Sequence, residues 1–277
     1  MRNTDSKIIE TFANDEYISL NTEQEPKFYN EKLQENERVF TYERYFEEVH
    51  PPVEIPLGKI DFPYNEQCLD MPIRLAGESE YKLPTQWKSL QNTLEQLISV
   101  EHSHNPNWKD YFTYITVDNR PVKVGEQQRH GGLHVDGFQG TRINPKTKIT
   151  RNYVATTNGG TQFWNQPFVV ADPAEFNVFK GFDLQIDGNP FVAKPNTFYF
   201  MDAYTVHESG FAEFDGDRIF IRLTYDLKKF DRLGNTHNPN LDYDWEMVER
   251  TTQQTVRNPK LTDIIASPYF PTLKNNN

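Results

Sequence analysis

The sequence predicts a mainly β protein with a jelly-roll core. Three observations lead there: about seven or eight short runs rich in aromatic and β-branched residues, the Gly, Asn and Asp clusters that bound them, and one segment of clear helical periodicity. The 277 residues exceed what most single domains need, yet β barrels and sandwiches of this size commonly remain one unit, and 14% aromatic residues can fill its core. One core with additions is therefore expected.

Residues 1 to about 50 are acidic and carry only scattered apolar residues such as Ile8, Phe12, Leu33 and Phe40, which describes a peripheral, partly helical extension. From His50 to Pro84 the prolines (Pro51, Pro52, Pro56, Pro63, Pro72, Pro84) are too dense for helix interiors and call for an extended wrap or edge structure. Between Thr85 and about His102, the spacing of Trp87, Leu90, Leu94, Leu97 and Ile98 predicts an amphipathic helix laid on a sheet. Short strands follow: YFTYITV (111–117), RNYVATT (151–157), TQFWN (161–165), 191–193, TFYFM (197–201) and RIFIRLTYD (218–226), with DNRPVKVGEQ read as a turn and possible edge strand. Asn158-Gly159-Gly160 is a turn signal. Two long connections, 137–150 and 166–190, are candidate lids, and a short helix is expected around Tyr243 to Thr251 before a polar, disordered LKNNN end. The expected division is an N-terminal extension and wrap packed on the core (1–84), a core with its supporting helix (85–235) and a C-terminal extension (236–277).

A net charge of −11 and a pI near 5.2 argue against a sequence-independent grip on long nucleic acid or anionic lipid. The single cysteine, Cys68, excludes an internal disulfide framework and a cysteine-only metal site. With no apolar run near the roughly 18 residues of a membrane span and no apolar core in MRNTDSKIIETFANDEY, a soluble, cytoplasmic protein is expected.

The chemistry-bearing residues begin at RHGGLHVDG (129–137). His134 and Asp136 are two apart, so on a strand both side chains leave one face and can meet one metal ion. A second imidazole would complete a set of two histidines and one carboxylate, which suits Fe(II) and leaves positions for a bidentate cosubstrate and O₂. His207 lies between the strand candidates 197–201 and 218–226. In the latter, Arg218, Phe220, Arg222 and Thr224 share a face, so two guanidinium groups line either water or a cavity that holds an anion.

The blander readings stand beside these. His130 precedes His134 by four residues, but the intervening Gly131-Gly132 speaks against a helical metal pair. His102 and His104 fit a favourable interaction with a helix C-terminus, and His50 and His237 fit solvated loops. Asp202 is a turn former by default, with a role as acceptor for the His207 imidazole as the alternative. Glu208 should face away from His207, Trp164 reads as core, and Arg218 with Arg222 could form surface salt bridges.

The order HVD, GGTQFW, KPNTFYFMDAYTVHESG, DRIFIRLTY resembles the double-stranded β-helix core of the Fe(II)/2-oxoglutarate-dependent dioxygenases, with a local flavour closest to the prolyl-hydroxylase-like and phytanoyl-hydroxylase-like branches. The likeness covers about residues 110–226. It implies that His134, Asp136 and His207 hold iron and that Arg218 pairs with the distal carboxylate of 2-oxoglutarate, with Arg222 the rival for that pairing and Tyr111, Tyr114 or Tyr153 a hydroxyl donor to it. It also implies consumption of O₂, decarboxylation of 2-oxoglutarate to succinate and, by default, hydroxylation of a C–H bond of a small-molecule or peptidyl substrate. Asp136 counts against halogenation, because its carboxylate occupies the position a halide needs. The alternatives are a non-catalytic jelly-roll binding or structural module, a cupin that binds metal without 2-oxoglutarate, and a nucleobase-oxidising enzyme if Arg142, Lys146, Lys148 and Arg151 form a basic rim.

Overall fold

A computed structural model describes residues 16–26, 28–35, 46–128, 132–136, 150–169 and 182–249. Their strands are β1 (Tyr17–Ser19), β2 (Val53–Ile55), β3 (Cys68–Arg74), β4 (Lys82–Pro84), β5 (Phe112–Val122), β6 (Arg151–Thr156), β7 (Gln162–Phe163), β8 (Phe191–Val192), β9 (Phe198–Asp202), β10 (His207–Glu208) and β11 (Gly216–Asp226). The α-helix α1 spans Gln91–His104. Six strands form an antiparallel sheet in the order β2-β9-β6-β11-β5-β3, three form a second sheet in the order β10-β7-β8, and β1 pairs with β4.

The centre of the large sheet is the pairing of β11 with β5, in register from Gly216↔Val122 to Asp226↔Phe112. This corrects the expectation of a turn at Asp118: the strand runs on through Pro121, which lies opposite Asp217 near the strand end, where the missing N–H does little harm. Both edges come from the proline-rich stretch. β2 pairs only with β9 and β3 only with β5, so Pro72 sits on an edge strand, and the β3–β5 register shifts twice around Asp70–Pro72.

One face of the large sheet carries Tyr153, Ala155, Phe198, Phe200, Ile219, Ile221, Leu223 and Tyr225, and α1 covers it with Leu94, Leu97 and Ile98. These residues are buried, and each such aliphatic side chain contributes about 1.5–3 kcal/mol through its removal from water. The helix starts later than its periodicity suggests. Thr85–Leu90 form a 3-10 turn, broken from helical geometry at Trp87, and α1 ends before Asn105-Pro106. The other face carries Val154, Tyr199, Met201 and Phe220, which pack with Phe163 of β7 and with Ala193. The site lies on this second face.

Glycines allow the strand ends of the small sheet to approach closely. A Cβ on Gly160 would stand 1.7 Å from the Ala193 carbonyl oxygen, and one on Gly210 would stand 1.9 Å from that of Gly160. No side chain larger than hydrogen fits either position as the backbone stands.

The helix expected around Tyr243 to Thr251 is absent through Glu249. The Val248 N–H donates to Asp231 O and its carbonyl accepts from Leu233, so these groups are spent on a cross-chain bridge instead of a helical ladder. Trp245 packs edge-on against Phe112, and Phe230 stacks on Tyr114 at 4.1 Å. Among the described residues no helix is long and apolar enough to cross a membrane. The 137–149 loop, His130, most of the 166–190 connection and the LKNNN end lie outside the described residues.

Candidate metal centre

The local chain explains how three distant residues meet. His134 and His207 form an antiparallel bridge in which each backbone N–H donates to the other's carbonyl at 2.9 Å. Their rings therefore stand side by side, with centroids 4.4 Å apart. Val135 turns the opposite way and is fully buried, which leaves Asp136 on the side of His134. One ligand atom from each of His134, Asp136 and His207 lies within 4.8 Å of the others, and this is the one such group of three among the described residues.

Each imidazole is oriented from behind. His134 Nδ1 is 3.0 Å from Gly132 O and His207 Nδ1 is 2.8 Å from Thr205 O. A carbonyl can only accept, so Nδ1 carries the proton and Nε2 carries the lone pair, the arrangement a metal requires. The carboxylate is held as well. Asp136 Oδ2 accepts from Arg222 Nη1 at 3.0 Å and from Asn152 Nδ2 at 3.4 Å, and Thr224 Oγ1 donates to Asn152 Oδ1 at 2.7 Å and so fixes the direction of that amide. Two imidazoles and a carboxylate on one side suit Fe(II) better than softer or purely oxygen-bound ions, so the donor set fits the metal implied by the resemblance.

The two arginines have different surroundings. Arg222 donates through Nη1 to Asp136 and through Nη2 to Asp70 at 2.8 Å, while its buried Nε has no partner. Burial would weaken its hold on its proton, but Asp136 and Asp70 more than compensate and keep its pKa above the ordinary value. Arg218 is 2% exposed and donates to Asn158 O at 2.6 Å, Gly159 O at 3.0 Å and the Gln128 side-chain oxygen. Both are inward-facing residues, not the surface salt bridges of the blander reading.

The three tyrosines point elsewhere. Tyr111 donates to Glu35 and Tyr153 to Glu101, on the helix-covered side, and Tyr114 donates to Lys228 O. The histidine readings also need correction. His50 is paired with Asp202 at 2.8 Å instead of solvated. Burial lowers the His102 pKa to about 4, so stacked on Trp108 it is neutral and gains nothing from a helix dipole. His104 Nε2 accepts from Asn30 N–H, which likewise marks a neutral ring. Asp202 is the turn former, accepting from Tyr204 N and Thr205 Oγ1. Burial pushes its pKa up, but His50 and these donors bring it below the usual value. Glu208 faces away from the cluster and accepts from Gly132 N, and Trp164 is buried.

Sequence reasoning missed Asp70, Thr116, Asn152 and Gln128. None stands at a metal-ligand spacing from the histidines. Only the alternation that puts Asn152 opposite Thr224 in the sheet could have drawn one of them in.

The fold and the cluster define an antiparallel β protein with a two-histidine, one-carboxylate group between its sheets. No protein-family model matches the sequence, and no curated protein matches it. Among solved structures, EvdO2 from Micromonospora carbonacea var. aurantiaca complexed with 2-oxoglutarate is 12% identical over 69% of this chain and 93% of its own, with a TM-score of 0.36. An oxidoreductase of the 2OG-Fe(II) oxygenase family from Burkholderia pseudomallei is 14% identical over 69% of this chain and 76% of its own, with a TM-score of 0.30. Against the non-heme monooxygenase ThoJ in its nickel complex, identity is 12% and TM-score 0.25. The match there covers 40% of this chain and spans only 42% of that one.

Proposed function

We propose that the chain is an Fe(II)- and 2-oxoglutarate-dependent oxygenase that hydroxylates a C–H bond of a small-molecule or peptidyl substrate. The observation that carries this reading is the convergence of His134, Asp136 and His207, with both imidazoles presenting Nε2. The strand order supports it. Between residues 112 and 226 the chain passes back and forth between a large and a small sheet, with β7 and β8 consecutive in the small one, and His134 bridges to the small sheet's edge strand, an order consistent with a double-stranded β-helix.

In this reading His134, Asp136 and His207 hold the iron. Bound there, it supplies O₂ activation coupled to decarboxylation of 2-oxoglutarate to succinate. The remaining work falls to the protein. Val154, Phe163, Tyr199, Met201 and Phe220 form an apolar wall, and the Phe163 ring centroid is 6.0 Å from that of His207, so water is kept from one side of the cluster. Arg218 anchors the distal carboxylate of the cosubstrate, its guanidinium plane set by Asn158, Gly159 and Gln128. Arg222, engaged by two carboxylates, orients Asp136.

Anaerobic addition of Fe(II) and 2-oxoglutarate to metal-free protein tests this. A visible absorption band should develop, disappear in His134→Ala, and require far more 2-oxoglutarate in Arg218→Ala. A band whose 2-oxoglutarate dependence is unchanged in Arg218→Ala but lost in Arg222→Ala would exchange the two arginines. Failure of wild-type protein to retain any iron would leave a non-catalytic β module.

A further inference from the structure

Asp70 is held in place by three independent features. It lies where the β3–β5 register shifts between Cys68 and Met71, so the strand bulges there. Its φ is +47°, a conformation that residues other than glycine seldom adopt. Its backbone N–H donates to Thr116 Oγ1 at 3.0 Å, and Thr116 Oγ1 donates back to Asp70 Oδ1 at 2.9 Å. That same Oδ1 accepts from Arg222 Nη2, across 152 residues of sequence. Bulges and left-handed residues of this kind re-aim side chains, and they cost free energy that some other gain must offset.

We propose that Asp70 is a positioning residue for the metal centre, acting through Arg222 to fix how Asp136 meets the ion. This rests on the metal-centre reading above and extends it to a residue far from the ligand motif. A guanidinium beside a carboxylate prefers a bidentate fork that covers both oxygens. Here Asp70 draws Nη2 away, so Arg222 reaches Asp136 through Nη1 alone and at Oδ2, the oxygen that also faces Asn152. Asp136 Oδ2 is thereby engaged by two protein donors, and the carboxylate would be held in one orientation toward the ion. Asp70 also supplies the negative charge that offsets Arg222, so a cation held beside the ligand set does not oppose a dication.

The test uses Co(II), whose visible spectrum reports ligand number, on the full chain without turnover. Asp70→Asn keeps the side-chain shape but removes the charge. It should weaken Co(II) binding about 10–100-fold and shift the spectrum. Thr116→Val, which leaves both carboxylates but frees Asp70, should do the same to a smaller extent and carries the test if Asp70→Asn does not fold. In Asp70→Asn/Arg222→Met part of the lost affinity should return, because the unbalanced cation is gone, while the spectrum stays shifted, because the guanidinium that orients Asp136 is gone with it. A merely structural Asp70 would lower the melting temperature without that rescue. Wild-type affinity and spectrum in folded Asp70→Asn, or a double variant that binds no better than Asp70→Asn, would overturn the proposal. Wild-type protein that takes up no Co(II) would overturn the metal-centre reading and this proposal with it.

Discussion

The two faces of the large sheet each bury an arginine among carboxylates, and they treat it differently. On the helix-covered face Arg151 Nε donates to Glu101 Oε1 at 2.6 Å and Nη2 to Leu33 O, while Glu101 also accepts from Asn105 and Tyr153. Both partners are fully or almost fully buried, and the Arg151 guanidinium lies over the Phe200 ring. On the opposite face Arg222 divides its bonds between Asp136 and Asp70 and leaves Nε without a partner, and Asp70 holds a left-handed backbone to reach it. On the helix-covered face both Glu101 oxygens are engaged and Arg151 Nε and Nη2 each have a partner. The opposite face keeps a buried group without a partner and a residue in a left-handed conformation, features that cluster at functional sites.

Substitutions can break this contrast, beginning with the closed side. Glu101→Ala strands Arg151 in the core and should cost about 3–5 kcal/mol in urea denaturation, while Co(II) uptake by the remaining folded protein stays unchanged. Equal loss of both would mean that the two faces are not separate.

On the site side β7 and β8 of the small sheet lie side by side where Gly160 faces Ala193, with no room for a methyl group. Gly160→Ala should cost at least about 2 kcal/mol, because the crowding is against backbone and cannot be relieved by a rotamer, and Co(II) affinity should fall with it. A Gly160→Ala protein of wild-type stability would show that this contact is looser than it stands here.

The covered face also predicts a pH dependence. His102 has a folded pKa of about 4 against an ordinary 6.5, because burial favours the neutral ring. As pH falls below 6.5 the unfolded chain takes up this proton first. The stability from the neutral ring is therefore complete above pH 6.5 and is lost as pH drops toward about 4. His102→Gln should flatten the denaturation midpoint between those values, and a midpoint with the same slope would assign the acid sensitivity to other groups. The smallest effect is expected of Thr224→Val, which frees the Asn152 amide. It should cost about 1 kcal/mol of stability with a modest fall in Co(II) affinity, and no change in affinity would remove Asn152 from the orientation of Asp136.

Much of this arrangement can be read from spacing alone, because strands alternate. The period of two puts Arg218, Phe220, Arg222 and Thr224 on one face of β11, and it is the folded sheet that turns this face inward. The amphipathic stripe locates α1, and proline density marks 50–84 as edge material. Strand partners are a different matter. That β3 lies beside β5, bulges at Asp70 and thereby reaches Arg222 depends on a pairing which no local preference encodes. His50 was misread for the same reason: its partner, Asp202, stands 152 positions away, and a histidine beside prolines looks like a loop residue until the chain has folded back. The helix expected around Tyr243 failed because Trp245 and Val248 spend their apolar spacing on neighbours outside any helix.

The strand order also sets a timetable. β2 and β3, the borders of the large sheet, leave the ribosome first, and β11, which joins β5 to β6 at its centre, leaves last. Until residue 226 has emerged the two halves of the sheet have no common strand, so assembly of this protein must wait for nearly the whole sheet-forming chain. The proline-bearing borders then suit that interval, since they offer the waiting strands little to pair with in the wrong register.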